Sequence, residues 1–448
     1  MPRGNSREAR LRFVFRRACK IRGYFYMKIA HYDQIITPEV GEPAAGYGVN
    51  DVTVRIHDDL KVSILLLDDG ETKGAVLGYD LLGLDEPFIK KIRRETADRL
   101  GCPEANVILS CTHTHSGPHS RSLGRRSANM EYIEKLYGWT AEGVEKALSD
   151  WHEADVYFYS TKCDQNYNRR YVDGSNRCKF LPHYRSLEPI GREFVDQELG
   201  MLIFTLPKTG HPLGVLMNFA AHPLASHSPG LGAHQISADY PGEIRKIMED
   251  NTCWCVFVDG AAGDQFPKDS ECGWESVHKC ASGIVVEAIR GICDACRNKD
   301  LYRIEEPKIR ASIETVTLKL RRDQQAKREE MPVYAGKRET EAEIQLFAVG
   351  DVCLVGVPGE MLAEIGQEIK WHSPYRRTFI LYNSTAYLSY LPHASAYVAG
   401  GYETAVNSAY IQPFESLKLV NSAVEGMRKL HGPMPEEPES RKEKPYHE

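Results

Sequence analysis

Missing from this 448-residue chain is any run of about 20 apolar residues, the length a membrane helix needs; residues 62–67 and 255–258, among the longest hydrophobic stretches, are strand-sized. No transmembrane segment is expected. A broad basic field is also missing. Lysine and arginine number 56 against 62 acidic residues, a formal net charge of −6. The electrostatic argument for nucleic acid or an anionic membrane surface therefore fails, and a small substrate is the expected partner. The twelve cysteines form no dense framework. They are scattered through strand-like segments (Cys111, Cys253, Cys255, Cys353) and helix-like ones (Cys280, Cys293, Cys296), which fits a reduced, cytoplasmic setting. Cys293 and Cys296 make one Cys-x-x-Cys pair. With no second pair at zinc-finger spacing, it reads as the end of a helix. No fixed-period repeat is visible.

What is present is an ordinary globular composition, 42% hydrophobic and 26% charged. Residues 1–26 carry eight basic side chains against one acid and lack the apolar core of a signal peptide. They read as a loosely held extension ahead of a new start at Met27. Residues 27–432 read as one large catalytic domain, with a charged surface excursion at 321–343. Residues 433–448, rich in Pro, Glu and Lys, read as a disordered tail.

The pattern is α/β, with mixed β-sheets flanked by helices. Strand-like segments at 28–36, 62–67 and 74–79 precede an amphipathic helix with Phe88, Ile92, Ala97 and Leu100 on its core side. Asp85 is placed to cap it, Pro87 suits its first turn, and Gly101 suits the left-handed residue after it. A strand at 106–112 then delivers His113. Strands at 213–221, 253–259 and 352–357 likewise run into His222-Pro223, Gly260-Ala-Ala-Gly-Asp264 and Pro358-Gly-Glu360. Ligands of open α/β sheets collect at the carboxyl ends of strands, so these termini are read as walls of one site.

Side chains two apart on a strand share a face, which sends His113 and His115 into one pocket while Thr112 and Thr114 turn away. Ser116-Gly-Pro118 breaks the strand at once. His222 follows an apolar Phe219-Ala-Ala run. Glu360 sits where the strand has stopped and a helix is expected to start. Each alone is as well explained by a core histidine or a helix-N-terminal glutamate. Together, neutral imidazoles and a carboxylate are what a catalytic zinc takes, with one position left for water.

Thr112-His-Thr-His-Ser-Gly-Pro118, Phe219-Ala-Ala-His-Pro223, Gly260-Ala-Ala-Gly-Asp264 and Pro358-Gly-Glu360, in this order, resemble the catalytic domain of neutral, non-lysosomal ceramidases and their shorter bacterial relatives. The likeness runs from about Ile36 to about Tyr410. It implies one Zn2+ held by His113, His222, Glu360 and a tyrosine. Counting back from Tyr402-Glu403, similar to the family's later Tyr-Glu, gives Tyr390 for that tyrosine, with Tyr387 second. The resemblance also implies that His115 faces the substrate and that Arg169, in Tyr167-Asn-Arg, stands beside the scissile group. Tyr402 would donate to a developing oxyanion, and Asp264 is carried over as a catalytic residue of its motif. The implied chemistry is amide hydrolysis by zinc-activated water, with His115 protonating the leaving amine.

The chain departs from the family at Gly263-Asp-Gln-Phe-Pro267, where Phe266 stands in the place of a serine. Phenylalanine has no nucleophilic atom, so an acyl-enzyme at that position is excluded. The chain also ends at Glu448, which leaves no expected room for the C-terminal immunoglobulin-like domain of true ceramidases. Three readings follow: a zinc amidohydrolase acting on an N-acylated small molecule or lipid; a zinc-dependent lyase or hydrolase acting on a carbohydrate, with Arg169 binding a carboxylate and His115 moving a proton; and a non-catalytic metal- or ligand-binding homologue.

Overall fold

The computed structural model describes residues 26–46, 52–122, 127–181, 193–226, 235–324, 334–405 and 407–433. Residues 1–25 of the basic extension, residues 434–448 of the tail and the middle of the charged excursion lie outside the described residues.

Two large sheets carry the fold. Numbered in chain order, the first holds β1 (Met27–Ile35), β2 (Lys61–Asp68), β3 (Lys73–Tyr79), β4 (Val107–Cys111), β5 (His152–Lys162), β6 (Glu198–Thr205), β7 (Pro212–Phe219) and β8 (Trp254–Asp259). Their spatial order is β8-β7-β6-β5-β1-β2-β3-β4. Most pairs are antiparallel, but β3–β4 and β7–β8, one at each edge, are parallel. Parallel neighbours need a crossover, and the helices Glu86–Leu100 and Asp239–Asn251 supply the two. The second sheet, β9 (Ile309–Lys319), β10 (Glu339–Val349), β11 (Val352–Gly356) and β12 (Arg377–Leu381), ends in a third parallel pair, β11–β12, crossed by helix Ala363–Trp371.

Period-two burial explains how the layers stack. Along β2, Ile64 and Leu66 join the core under helices Glu86–Leu100 and Met130–Leu148. Leu65 and Leu67 point the other way, into a core shared with Phe347, Leu354 and Phe379 of the second sheet. Both faces are covered, so the strand reads as a continuous apolar run. Helices Asp239–Asn251 and Trp274–Arg297 cover the rest of the first sheet, and Ala363–Trp371 with Glu415–His431 covers the second. The first sheet curls enough for β8 to pack against β2, β3 and β4. That curl brings the carboxyl ends of β4, β7 and β8 together.

Sequence and structure differ in four places. The chain leaves β4 at Cys111, and His113 has φ 70°, so the two histidines share a pocket through a left-handed turn and not through strand alternation. Glu360 starts no helix. Glu360–Met361 is a short strand beside Tyr390–Leu391, and the helix begins at Ala363. Asp85 holds the position before helix Glu86–Leu100, but its carboxylate accepts from the Ser122 N–H at 3.0 and 3.1 Å and caps nothing. Gly101 does end that helix, with φ 68°. The charged excursion is shorter than expected, since residues from 339 onward belong to β10. Among the described residues no helix is long and apolar enough to cross a membrane.

Candidate metal centre

His113 is placed by backbone bonds on both sides: Thr112 N–H donates to Tyr79 O at 2.8 Å and His113 N–H to Leu81 O at 2.9 Å. Its Nδ1 lies 2.6 Å from Leu82 O and 3.0 Å from the Asn383 amide. A carbonyl only accepts, so Nδ1 carries the hydrogen and Nε2 keeps its lone pair. His222 repeats the arrangement beyond β7. Its N–H donates to Gln265 O at 3.0 Å, and Nδ1 donates to Ala262 O at 2.6 Å. The loop after it is pinned by Asp239, whose carboxylate accepts from the N–H groups of Ala225 and Ser226 at 3.1 and 2.9 Å.

Glu360 meets both imidazoles. Its Oε2 is 3.4 Å from Nε2 of His113 and 3.4 Å from Nε2 of His222. Tyr382 donates to the same oxygen at 3.0 Å, and Tyr387 donates to Oε1. The spacing is informative: two ligand atoms about 2.1 Å from a tetrahedral zinc stand about 3.4 Å apart. Among the described residues buried His222 Nε2 has no hydrogen-bond partner, and both imidazoles hold their other nitrogen on a backbone carbonyl, as metal-ligating histidines do. The residues present therefore fit a divalent metal. Electrostatics agree with that donor set. Burial, then the charge of Arg169, pushes the His222 imidazole down to about 4. Burial works to raise the Glu360 carboxyl, but the adjacent imidazoles of His113 and then His222 outweigh it and hold it well below the usual carboxylate range.

His115 joins them. The ligand atoms of His113, His115 and His222 lie within 4.8 Å of one another. Its Nδ1 is 3.1 Å from Gly46 O, which directs Nε2 toward the cluster, and burial holds the imidazole well below its usual pKa. Gly46 has φ 91°, and a Cβ there would stand 2.6 Å from His115 Nδ1. Only glycine allows that approach.

The remaining expected residues form a second layer. Arg169 is buried; its Nε donates to Glu403 at 2.7 Å, and Nη2 donates to Gly263 O at 2.8 Å and to the Tyr390 hydroxyl at 3.0 Å. Glu403 also accepts from Arg170 Nη1 at 2.7 Å, so one carboxylate bridges two buried guanidiniums. Of the two candidate tyrosines, Tyr387 bonds Glu360 and Tyr390 bonds Arg169. Tyr402 is 54% exposed, with its ring 5.6 Å from that of Tyr390. Asp264 accepts from Asn168 Nδ2 at 2.6 Å, Ala363 N–H at 2.9 Å and Gln265 Nε2 at 2.9 Å, tying three segments behind the histidines. Phe266 lies 5.5 Å from the His222 ring and 4.6 Å from the Arg169 guanidinium.

Sequence reasoning missed Tyr382, which follows β12 as His222 follows β7 and carried the same strand-end signal. It also missed Glu403 as a bridge and Arg121, which stacks on Tyr387.

The architecture is thus a mixed α/β domain with a histidine–carboxylate centre at the carboxyl ends of its parallel strand pairs. No family model and no curated protein matches the chain. Solved structures do. The neutral ceramidase from Pseudomonas aeruginosa aligns with a TM-score of 0.75 at 16% identity, covering 91% of this chain and 75% of that one. A ceramidase complexed with C2 gives 0.73 at 16% identity, covering 91% and 76%. The fold is that of neutral ceramidase.

Proposed function

We propose that the chain is a zinc-dependent hydrolase that cleaves the amide bond of an N-acylated small molecule or lipid. The observation that carries this reading is the convergence of His113 Nε2 and His222 Nε2 on one oxygen of Glu360, each at 3.4 Å. These three residues, with Tyr390 as the expected fourth, would hold the metal. When bound, zinc supplies Lewis-acid polarisation of the carbonyl and a water acidified to a pKa of about 7.

The chain's own groups do the rest. Tyr382 and Tyr387 hold the Glu360 carboxylate in one orientation. His115, neutral and with Nε2 turned to the cluster, takes a proton from the attacking water and returns it to the departing amine nitrogen. Tyr402, at the rim, donates to the developing oxyanion. Asp264 acts by fixing the loop that carries Arg169, whose N–H donates to Asp264 O at 2.9 Å. Phe266 beside His222 leaves no nucleophile at that wall, so hydrolysis proceeds without an acyl-enzyme there.

A carbohydrate lyase that grips its substrate's carboxylate with Arg169 is disfavoured, because that guanidinium is already engaged by Glu403, Gly263 and Tyr390. The test is hydrolysis of a panel of N-acyl amides and esters by wild type, His115→Ala and His222→Ala, read by mass spectrometry for the gain of water. Product from wild type and loss in both variants supports the reading. Product with no gain of water favours a lyase, and metal bound without turnover favours the non-catalytic homologue.

A further inference from the structure

Arg121 lies beside this centre and the mechanism leaves it unused, and its surroundings are unusual. It is 6% exposed, yet among the described residues it makes no ion pair with a carboxylate. Among the described residues its five donor hydrogens make one bond, Nη1 to Ser122 O at 3.1 Å, and Nε is buried without a partner. A guanidinium with that many unmet donors is costly to desolvate, and proteins normally pair such a group.

The side chain is nevertheless held in place. Its guanidinium lies 3.4 Å from the centroid of the Tyr387 ring. That ring's hydroxyl bonds Glu360, and the ring stands 6.1 Å from His113 at 17°. Room for the stack comes from Gly83, where a Cβ would be 2.7 Å from Tyr387 Cδ2 and 3.3 Å from Arg121 Cδ. Asp85, whose carboxylate meets the neighbouring residue Ser122, uses both its oxygens on the Ser122 N–H. The cation is therefore fixed one aromatic ring away from the reacting centre, with its fork unfilled.

We propose that Arg121 recognises an anionic group, a carboxylate or a phosphate, carried by the substrate close to its scissile amide. The chain then takes N-acyl amino acids or N-acyl phosphoethanolamines in preference to neutral N-acyl amines. A guanidinium fork matches both anions in two-point geometry, and a lysine ammonium does not. This inference rests on the amide-hydrolase reading for where the scissile bond lies, but its binding test does not require turnover.

Equilibrium binding of N-dodecanoylglycine, N-dodecanoyl-phosphoethanolamine and neutral N-dodecanoylethanolamine to the full metal-loaded chain is measured by calorimetry. Wild type is expected to bind at least one anionic probe about ten-fold or more tighter than the neutral one, the equivalent of one charge-assisted hydrogen bond. Which anionic probe wins identifies the source of the charge. Arg121→Gln should bring the preference to near parity, and Arg121→Lys should keep part of it. The Lys variant keeps the test open if Gln disturbs the Tyr387 stack. Equal binding of all three by wild type, or an undiminished preference in folded Arg121→Gln, overturns the proposal. Inactivity toward every amide with this pattern intact would overturn the hydrolase reading and leave the anion site standing.

Discussion

Replacing Glu403 with glutamine keeps the side chain's shape and removes the charge shared by two buried guanidiniums. Its side chain is 1% exposed, those of Arg169 and Arg170 are 3% and 0%, and both bonds are 2.7 Å long. Breaking a buried pair by removing one partner costs about 3–5 kcal/mol, because the other charge stays buried. The amide of Glu403→Gln still accepts one hydrogen bond, which puts the expected loss near the low end, about 3 kcal/mol, out of a total stability of about 5–15 kcal/mol. The pH dependence follows from the same geometry. Burial works to raise the Glu403 carboxyl, but the charges of Arg169 and Arg170 outweigh it and hold it below the usual range. A depressed carboxyl contributes stability that is fully present above its unfolded pKa and is lost as pH falls through the lower folded value. Urea unfolding followed by tryptophan fluorescence should therefore show the full gap between wild type and variant at pH 7. The gap should close as pH falls below about 4. A gap under about 0.5 kcal/mol at pH 7, the size of a surface change, or one that persists unchanged in acid, would refute the bridge.

Two further predictions bear on the histidines. Gly46→Ala puts a Cβ 2.6 Å from His115 Nδ1 at φ 91°, which should displace the imidazole. Hydrolysis should fall by about 10²-fold, the loss typical of one displaced acid–base group, while metal held by His113, His222 and Glu360 is retained, as paired activity and metal assays would show. His222 has its folded pKa lowered to about 4 from 6.5. Between those values the unfolded chain binds the extra proton, so chelated wild type should lose roughly 3 kcal/mol of stability as pH falls from about 6.5 to about 4. Subtracting the same curve for His222→Gln, which cannot titrate, isolates that loss; parallel curves would contradict it.

Much of the fold was written locally. Apolar runs such as Ile64-Leu-Leu-Leu67 marked strands buried on both faces, and Pro87 and Gly101 bracketed their helix. The pairing of His113 with His222 was legible too, as polar residues at the ends of apolar strands. What escaped depends on chain segments that meet only after folding. The curl that brings β8 against β4, the left-handed turn at His113 and the Arg170 partner of Glu403 have no sequence period. Arg121 drew no sequence reading, because only folding lays it on Tyr387. Asp85 had the right residue for a cap but was claimed by Ser122, a tertiary competitor that local rules do not contain.

The central claim is that His113, His222 and Glu360 together hold one divalent metal, and elemental analysis of dialysed protein tests it most directly. The account predicts about one equivalent of zinc in wild type and a small fraction of that in His222→Ala and Glu360→Gln. Folded wild type that keeps no metal after incubation with zinc, or folded variants that keep a full equivalent, would contradict it.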